Sequence, residues 1–95
     1  MVFFAPAPPE SQRVNFAYFD PKAKSVCVAG TFNNWNPKIS PLRNMGKGAW
    51  SIQMTLEPGR YEYRFLVGRE WRIDPAARQQ VSDFCGGVNS VLVVE

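Results

Sequence analysis

Trp50-Ser51-Ile52-Gln53-Met54-Thr55-Leu56, then Glu57-Pro58-Gly59, then Arg60-Tyr61-Glu62-Tyr63-Arg64-Phe65-Leu66-Val67: on both sides of a Pro-Gly turn signal, large apolar side chains recur at every second residue. A period of two is that of a strand with one buried face, not of a helix. Trp50, Ile52, Met54 and Leu56 form one core-directed row. Tyr61, Tyr63, Phe65 and Val67 form another, with Arg60, Glu62, Arg64 and Leu66 on the far side. Pro presets one turn dihedral and Gly supplies a positive one, so the two runs read as a hairpin.

Upstream, Val14-Asn15-Phe16-Ala17-Tyr18 alternates in the same way, and Asp20-Pro21 with its following lysines makes a turn. Ser25 to Ala29 is a further strand, Val26 and Val28 facing one way. Lys38 to Gly48, with Pro41, Gly46 and Gly48, reads as a long connection. Downstream, Gly68-Arg69-Glu70 turns the chain, Trp71-Arg72-Ile73 extends it briefly and Asp74-Pro75 breaks it. Residues 76–87 are polar, with room for one helical turn over 76–81, and Ser90 to Val94 is a final strand. Short strands separated by turn signals at intervals of about 8–12 residues predict an all-β, antiparallel β-sandwich of about six to eight strands. A small barrel is the alternative. Residues 1–12, with Pro6, Pro8 and Pro9, read as a flexible tail, and 13–95 as the one domain.

Ninety-five residues suffice for one core. Eleven Lys and Arg against eight Asp and Glu give a net charge of +3, but the basic residues are scattered without a run, which describes a solvated surface rather than a nucleic-acid face. Two cysteines, Cys27 and Cys85, and no histidine supply neither a disulfide framework nor metal-ligand spacing. Free thiols, no signal-peptide pattern at Met1–Pro6 and no membrane-length apolar run lead to the expectation of a soluble, cytoplasmic protein. Catalysis is poorly supplied: there is no His to work as a base near neutrality, no evident carboxylate pair, and no P-loop or dinucleotide fingerprint. The chain is expected to be no enzyme, with no cofactor and no metal.

Binding is better supplied. Gly30-Thr31-Phe32-Asn33-Asn34-Trp35-Asn36-Pro37 is rich in turn formers, yet holds two aromatics. Phe32 can drop into the core, whereas Trp35, flanked by Asn34 and Asn36, stands on a polar loop. Trp71 lies beside another loop, Arg64 on the strand face opposite the core row, and Asn89 just before the last strand. A pyranose ring has an apolar C–H face and a rim of hydroxyls, so a Trp ring suits the face while Arg and Asn suit the rim. Plainer readings stand beside this one. Trp50 is a core residue. Trp71 either caps the end of the sandwich or meets a ligand. Arg64 either pairs with Glu62 or Glu70 or meets a ligand. Asn89 either bonds its own turn or does the same.

The run Val28-Ala29-Gly30-Thr31-Phe32-Asn33-Asn34-Trp35-Asn36 resembles the signature of carbohydrate-binding module family 48. That family includes the glycogen-binding domain of the AMP-activated protein kinase β subunit and the early-set domain of isoamylases and branching enzymes. The pattern continues in order through Pro41-Leu42, Gly48-Ala49-Trp50, Leu56-Glu57-Pro58-Gly59, Tyr61 to Phe65, Trp71, Asp74-Pro75 and Val88-Asn89-Ser90-Val91, spanning about residues 13–94. The resemblance implies an immunoglobulin-like (early-set) sandwich that binds α-1,4-linked glucans such as glycogen, starch and malto-oligosaccharides. It also implies site residues Trp35, Arg64, Trp71 and Asn89. The sequence departs from the kinase pattern at Arg64, which replaces Lys, and at Cys85 and Gly87, which replace Leu and Thr. Two functions follow: a glucan-binding module, or a sandwich that docks on a glucan-active enzyme or kinase-like complex without binding sugar. Single-stranded nucleic-acid binding is a distant third.

Overall fold

The computed structural model describes residues 11–83 and 86–95. Within it run β1 (Gln12–Phe19), β2 (Val26–Gly30), β3 (Arg43–Gly46), β4 (Ala49–Leu56), β5 (Gly59–Val67), β6 (Glu70–Arg72), β7 (Gln79–Ser82) and β8 (Val88–Val94). They form two antiparallel sheets. One has the order β1-β4-β3; the other has the order β2-β5-β8-β7, with β6 also on β5. The helical content among the described residues is one 3-10 turn, Thr31–Asn33. The expected sandwich is therefore what forms. Of the tail expected over 1–12, residues 1–10 lie outside the described residues, as does Cys85.

The expected hairpin is not formed. β4 pairs with β1 and β3, whereas β5 pairs with β2, β6 and β8. Glu57-Pro58 carries the chain from one sheet to the other. The physical reason is that period two identifies which face of a strand is buried, not which strand lies beside it. Here the two apolar rows meet face to face across the sandwich. Phe16, opposite Ile52 in the first sheet, stacks edge-on against Tyr63 of the second at 5.1 Å, and Tyr18 meets Phe65 at 5.0 Å. Phe65, Val26 and Val28 are fully buried between the sheets, with Trp50, Leu42 and Val67 around them. Each such aromatic pair contributes ~1 kcal/mol beyond its burial.

Two strands lie where the sequence reads as connection, β3 within 38–48 and β7 within 76–87. β3 is exposed throughout and β7 nearly so. Both are sheet edges. An edge strand with little buried face carries no apolar alternation, and polar side chains protect its open side.

Candidate functional site

The loop after β2 is built on Asn33. Its side chain is buried; Nδ2 donates to Val28 O at 3.0 Å and to Ser40 Oγ at 3.1 Å, while Oδ1 accepts from Gly30 N at 3.0 Å. One amide thus ties the start of the loop to its return. The return itself lies along β2, with Val28 N donating to Ser40 O and Leu42 N to Val26 O. Gly30 is required for space: a Cβ there would stand 2.4 Å from Glu62 O and 2.7 Å from Tyr63 Cβ. Phe32 turns inward onto Phe16 at 5.3 Å.

With both ends held, the loop crest is forced into a left-handed turn. Asn34 has φ 55° and Trp35 φ 59°. Asn tolerates that region; for a bulky aromatic it is an outlier that costs on the order of 1–3 kcal/mol and persists only where the surroundings impose it. Trp35 N donates to Gly30 O at 2.9 Å, which fixes the backbone, while the residue remains 37% exposed. Strain and exposure together mark a residue held out toward solvent.

Arg64 occupies the one position of β5 between the residues paired to β8 and those paired to β6. Its side chain points to the outer face of the sheet. Nε donates to Asn89 Oδ1 at 2.6 Å, and Nη2 forms a short ion pair with Asp83 Oδ2. Neither Glu62 nor Glu70 takes Arg64, contrary to the surface pairing that the sequence left open. Those acids pair instead with Arg60 and Arg72. Asn89 is buried and donates through Nδ2 to Glu62 Oε1 at 3.0 Å, so it is not a turn residue bonded to itself. The Asn89 bond and, after it, Arg60 hold the Glu62 carboxyl below its ordinary range. Asp83 is set in turn by Gly87, whose N donates to Asp83 Oδ1 at 2.7 Å. A Cβ on Gly87 would stand 2.4 Å from Arg64 Nη2 and 2.8 Å from Asp83 Oδ2. The departures at Arg64 and Gly87 are thus one spatial feature: the wide guanidinium lies where a side chain at 87 would be.

Trp35, Arg64, Asp83 and Asn89 line one concavity of about 360 Å³. Three of the four residues singled out from the sequence are brought together there. Trp71 is not among the lining residues. It pairs across from Leu66, two residues along β5 from Arg64, and so shares the outer face of the same sheet, 46% exposed. It is not buried as an end cap. Its strand is anchored by the turn that follows, where Tyr63 OH donates to Asp74 Oδ2 at 2.6 Å and Asp74 N to Ser90 Oγ at 2.7 Å. Burial, then this bond, raises the Tyr63 hydroxyl above its ordinary range. Sequence reasoning missed Asp83, Glu62 and Asn33. Each is an ordinary polar residue in a turn or strand, and only its partners distinguish it. Among the described residues, no cluster of His, Cys, Asp and Glu could hold a metal ion, and no helix is long and apolar enough to cross a membrane.

The chain is similar to segments of larger proteins. It is 39% identical over 75 residues to the 1,4-alpha-glucan branching enzyme GlgB 2 of Xanthomonas campestris pv. campestris, covering 74% of this chain and 10% of that one. It is 39% identical to the chloroplastic protein PTST of Arabidopsis thaliana, covering 77% and 26%. It is 30% identical over 88 residues to the 5'-AMP-activated protein kinase subunit beta-2 of Mus musculus, covering 93% and 31%. It thus spans at most about a third of the length of these curated relatives. Among solved structures, a maltogenic amylase from S. marinus superposes with a TM-score of 0.74 at 24% identity over 87% of this chain and 13% of its own, a likeness of fold. A family model, described as the glycogen recognition site of AMP-activated protein kinase, matches residues 13–95, which hold both sheets and the whole concavity, and the chain belongs to that family.

Proposed function

We propose that this chain is a non-catalytic module that binds α-1,4-linked glucan, with glucose rings stacked on Trp35 and Trp71 and their hydroxyls bonded by Arg64 and Asn89. The observation that carries this reading is the shared concavity of Trp35, Arg64 and Asn89, beneath a Trp whose backbone is held left-handed. A flat indole covers the apolar face of a sugar ring, and a fixed Arg–Asn pair presents donors and acceptors to its rim. Trp71, on the same face, extends the platform for a second ring. Membership of a glycogen-recognition family supports the polymer class, as do relatives named for glucan branching.

Titration with maltoheptaose, followed by Trp fluorescence with cellohexaose as control, tests the reading. A saturable change with the α-glucan alone, lost in Trp35→Ala, is expected. Unaltered binding by Trp35→Ala would sink it.

A second reading, docking on a glucan-active enzyme or kinase-like complex, draws on Phe19 and Met45, which are 71% and 65% exposed on the other sheet. Phe19 and Gly46 both pair with Ala49, so the two apolar side chains lie at the same end of that sheet. Absence of any response to either sugar favours this alternative.

A further inference from the structure

Arg64 is the cationic side chain among the residues lining the concavity, and a free guanidinium is a better receptor for phosphate or carboxylate than for a hydroxyl. This one is not free. Asp83 Oδ2 pairs with Nη2, Asn89 Oδ1 takes Nε, and the Asp83 carboxylate is itself oriented by Gly87 N. Both members of the ion pair are largely withdrawn from solvent, with side chains 22% and 26% exposed. The same carboxylate lines the concavity, and Glu62 stands behind Asn89, bonded to its Nδ2. The basic character of the sequence is therefore cancelled at this point.

We propose that Asp83 determines the charge specificity of the site: it neutralises and positions Arg64, committing the concavity to uncharged hydroxyl ligands and rejecting the same glucan when it carries phosphate monoesters. The inference rests on the glucan-binding reading and adds to it a residue and a selectivity. Rejection has two parts. A phosphate entering the concavity meets the Asp83 carboxylate at close range, and the Arg64 charge that would attract it is already offset by Asp83. A neutral ring carries no charge to meet either penalty, and it can accept from guanidinium N–H groups other than the two that, among the described residues, donate to Asp83 and Asn89.

The experiment compares maltoheptaose with phosphorylated malto-oligosaccharide of the same length, by calorimetry, on wild type, Asp83→Asn, Arg64→Ala and Trp35→Ala. Asp83→Asn keeps the shape and a carbonyl acceptor for Arg64 while removing the charge. Wild type is expected to prefer the neutral ligand about tenfold, the scale of one partly screened charge contact. In Asp83→Asn the phosphorylated ligand gains about tenfold relative to maltoheptaose, in a salt-sensitive way, and this ratio rather than either affinity alone is the readout. Combining Asp83→Asn with Arg64→Ala removes most of that gain, which a purely structural role for Asp83 would not produce. If Asp83→Asn retains the wild-type preference, the inference is overturned while the glucan site stands. If Trp35→Ala binds maltoheptaose as wild type does, the site reading itself has failed, and this arm identifies it.

Discussion

Trp50 and Trp35 are fifteen residues apart and have opposite fates. Trp50 lies on a regular strand, 7% exposed, its indole N–H donating to Asp20 O at 3.2 Å. Trp35 lies on a left-handed crest, 37% exposed, over a concavity that it lines together with Arg64, Asp83 and Asn89. The first region is a packing solution. Its apolar partners lower its energy, and Trp50 itself has no positive φ. The second is a region where a large apolar side chain and an unfavourable backbone are maintained together by buried hydrogen bonds from Asn33. The contrast teaches that the residue type does not assign the role. The chain on either side does.

The comparison can be broken from the core side first. Trp50→Ala should cost about 3–5 kcal/mol of unfolding free energy, as for large aromatic truncations in a close-packed core; urea denaturation measures it, and a loss below about 1 kcal/mol would remove the distinction between the two regions. Trp35→Ala should do the reverse. Glucan affinity is lost, and the urea midpoint stays near that of wild type because no core contact goes with the indole.

Asn33→Ala lies between the two. Removing the amide leaves Val28 O and Gly30 N without their side-chain partner, at about 1–3 kcal/mol, and frees the crest. Stability and glucan affinity should fall together, and a variant that loses only stability would show that the crest needs no tether. Gly87→Ala is a finer probe. The added methyl meets the ends of the Arg64 and Asp83 side chains rather than backbone, so the melting temperature should shift little while maltoheptaose affinity drops several-fold. The smallest effect concerns pH. The Glu62 carboxyl is held below its ordinary 4.5 by Asn89 and Arg60. Its stabilisation is present above pH 4.5 and fades as pH falls through the lower folded value. Glu62→Gln should therefore flatten the acid limb of the stability curve slightly, and an unchanged limb would remove Glu62 from the network.

Much of this was legible from residues alone. The rows Trp50–Leu56 and Tyr61–Val67 identified two buried faces, and the buried residues Tyr63, Phe65 and Val67 are those expected. Trp35, Arg64 and Asn89 stood out by type and setting, and they share one concavity. What was not legible has a common cause. Pairing between strands is a long-range property, so the Pro-Gly signal at 58–59 looked like a hairpin when it is a crossing between sheets. Edge strands β3 and β7 lack a buried face and left no periodic trace. Asp83 sits in a polar stretch where a carboxylate is unremarkable until Arg64 is found beside it.

The sequence by itself determined the period of the chain, the side of each central strand that must be buried, and the exposure of one Trp among asparagines, because these follow from local backbone geometry and the transfer of apolar side chains from water. Only the tertiary structure decided which strands are neighbours, that the guanidinium of Arg64 belongs to Asp83 and Asn89 rather than to nearby glutamates, and that Trp71 stands beside the concavity instead of lining it. Those outcomes depend on where distant segments meet, and charges choose partners by distance in space, which a linear order of residues does not contain.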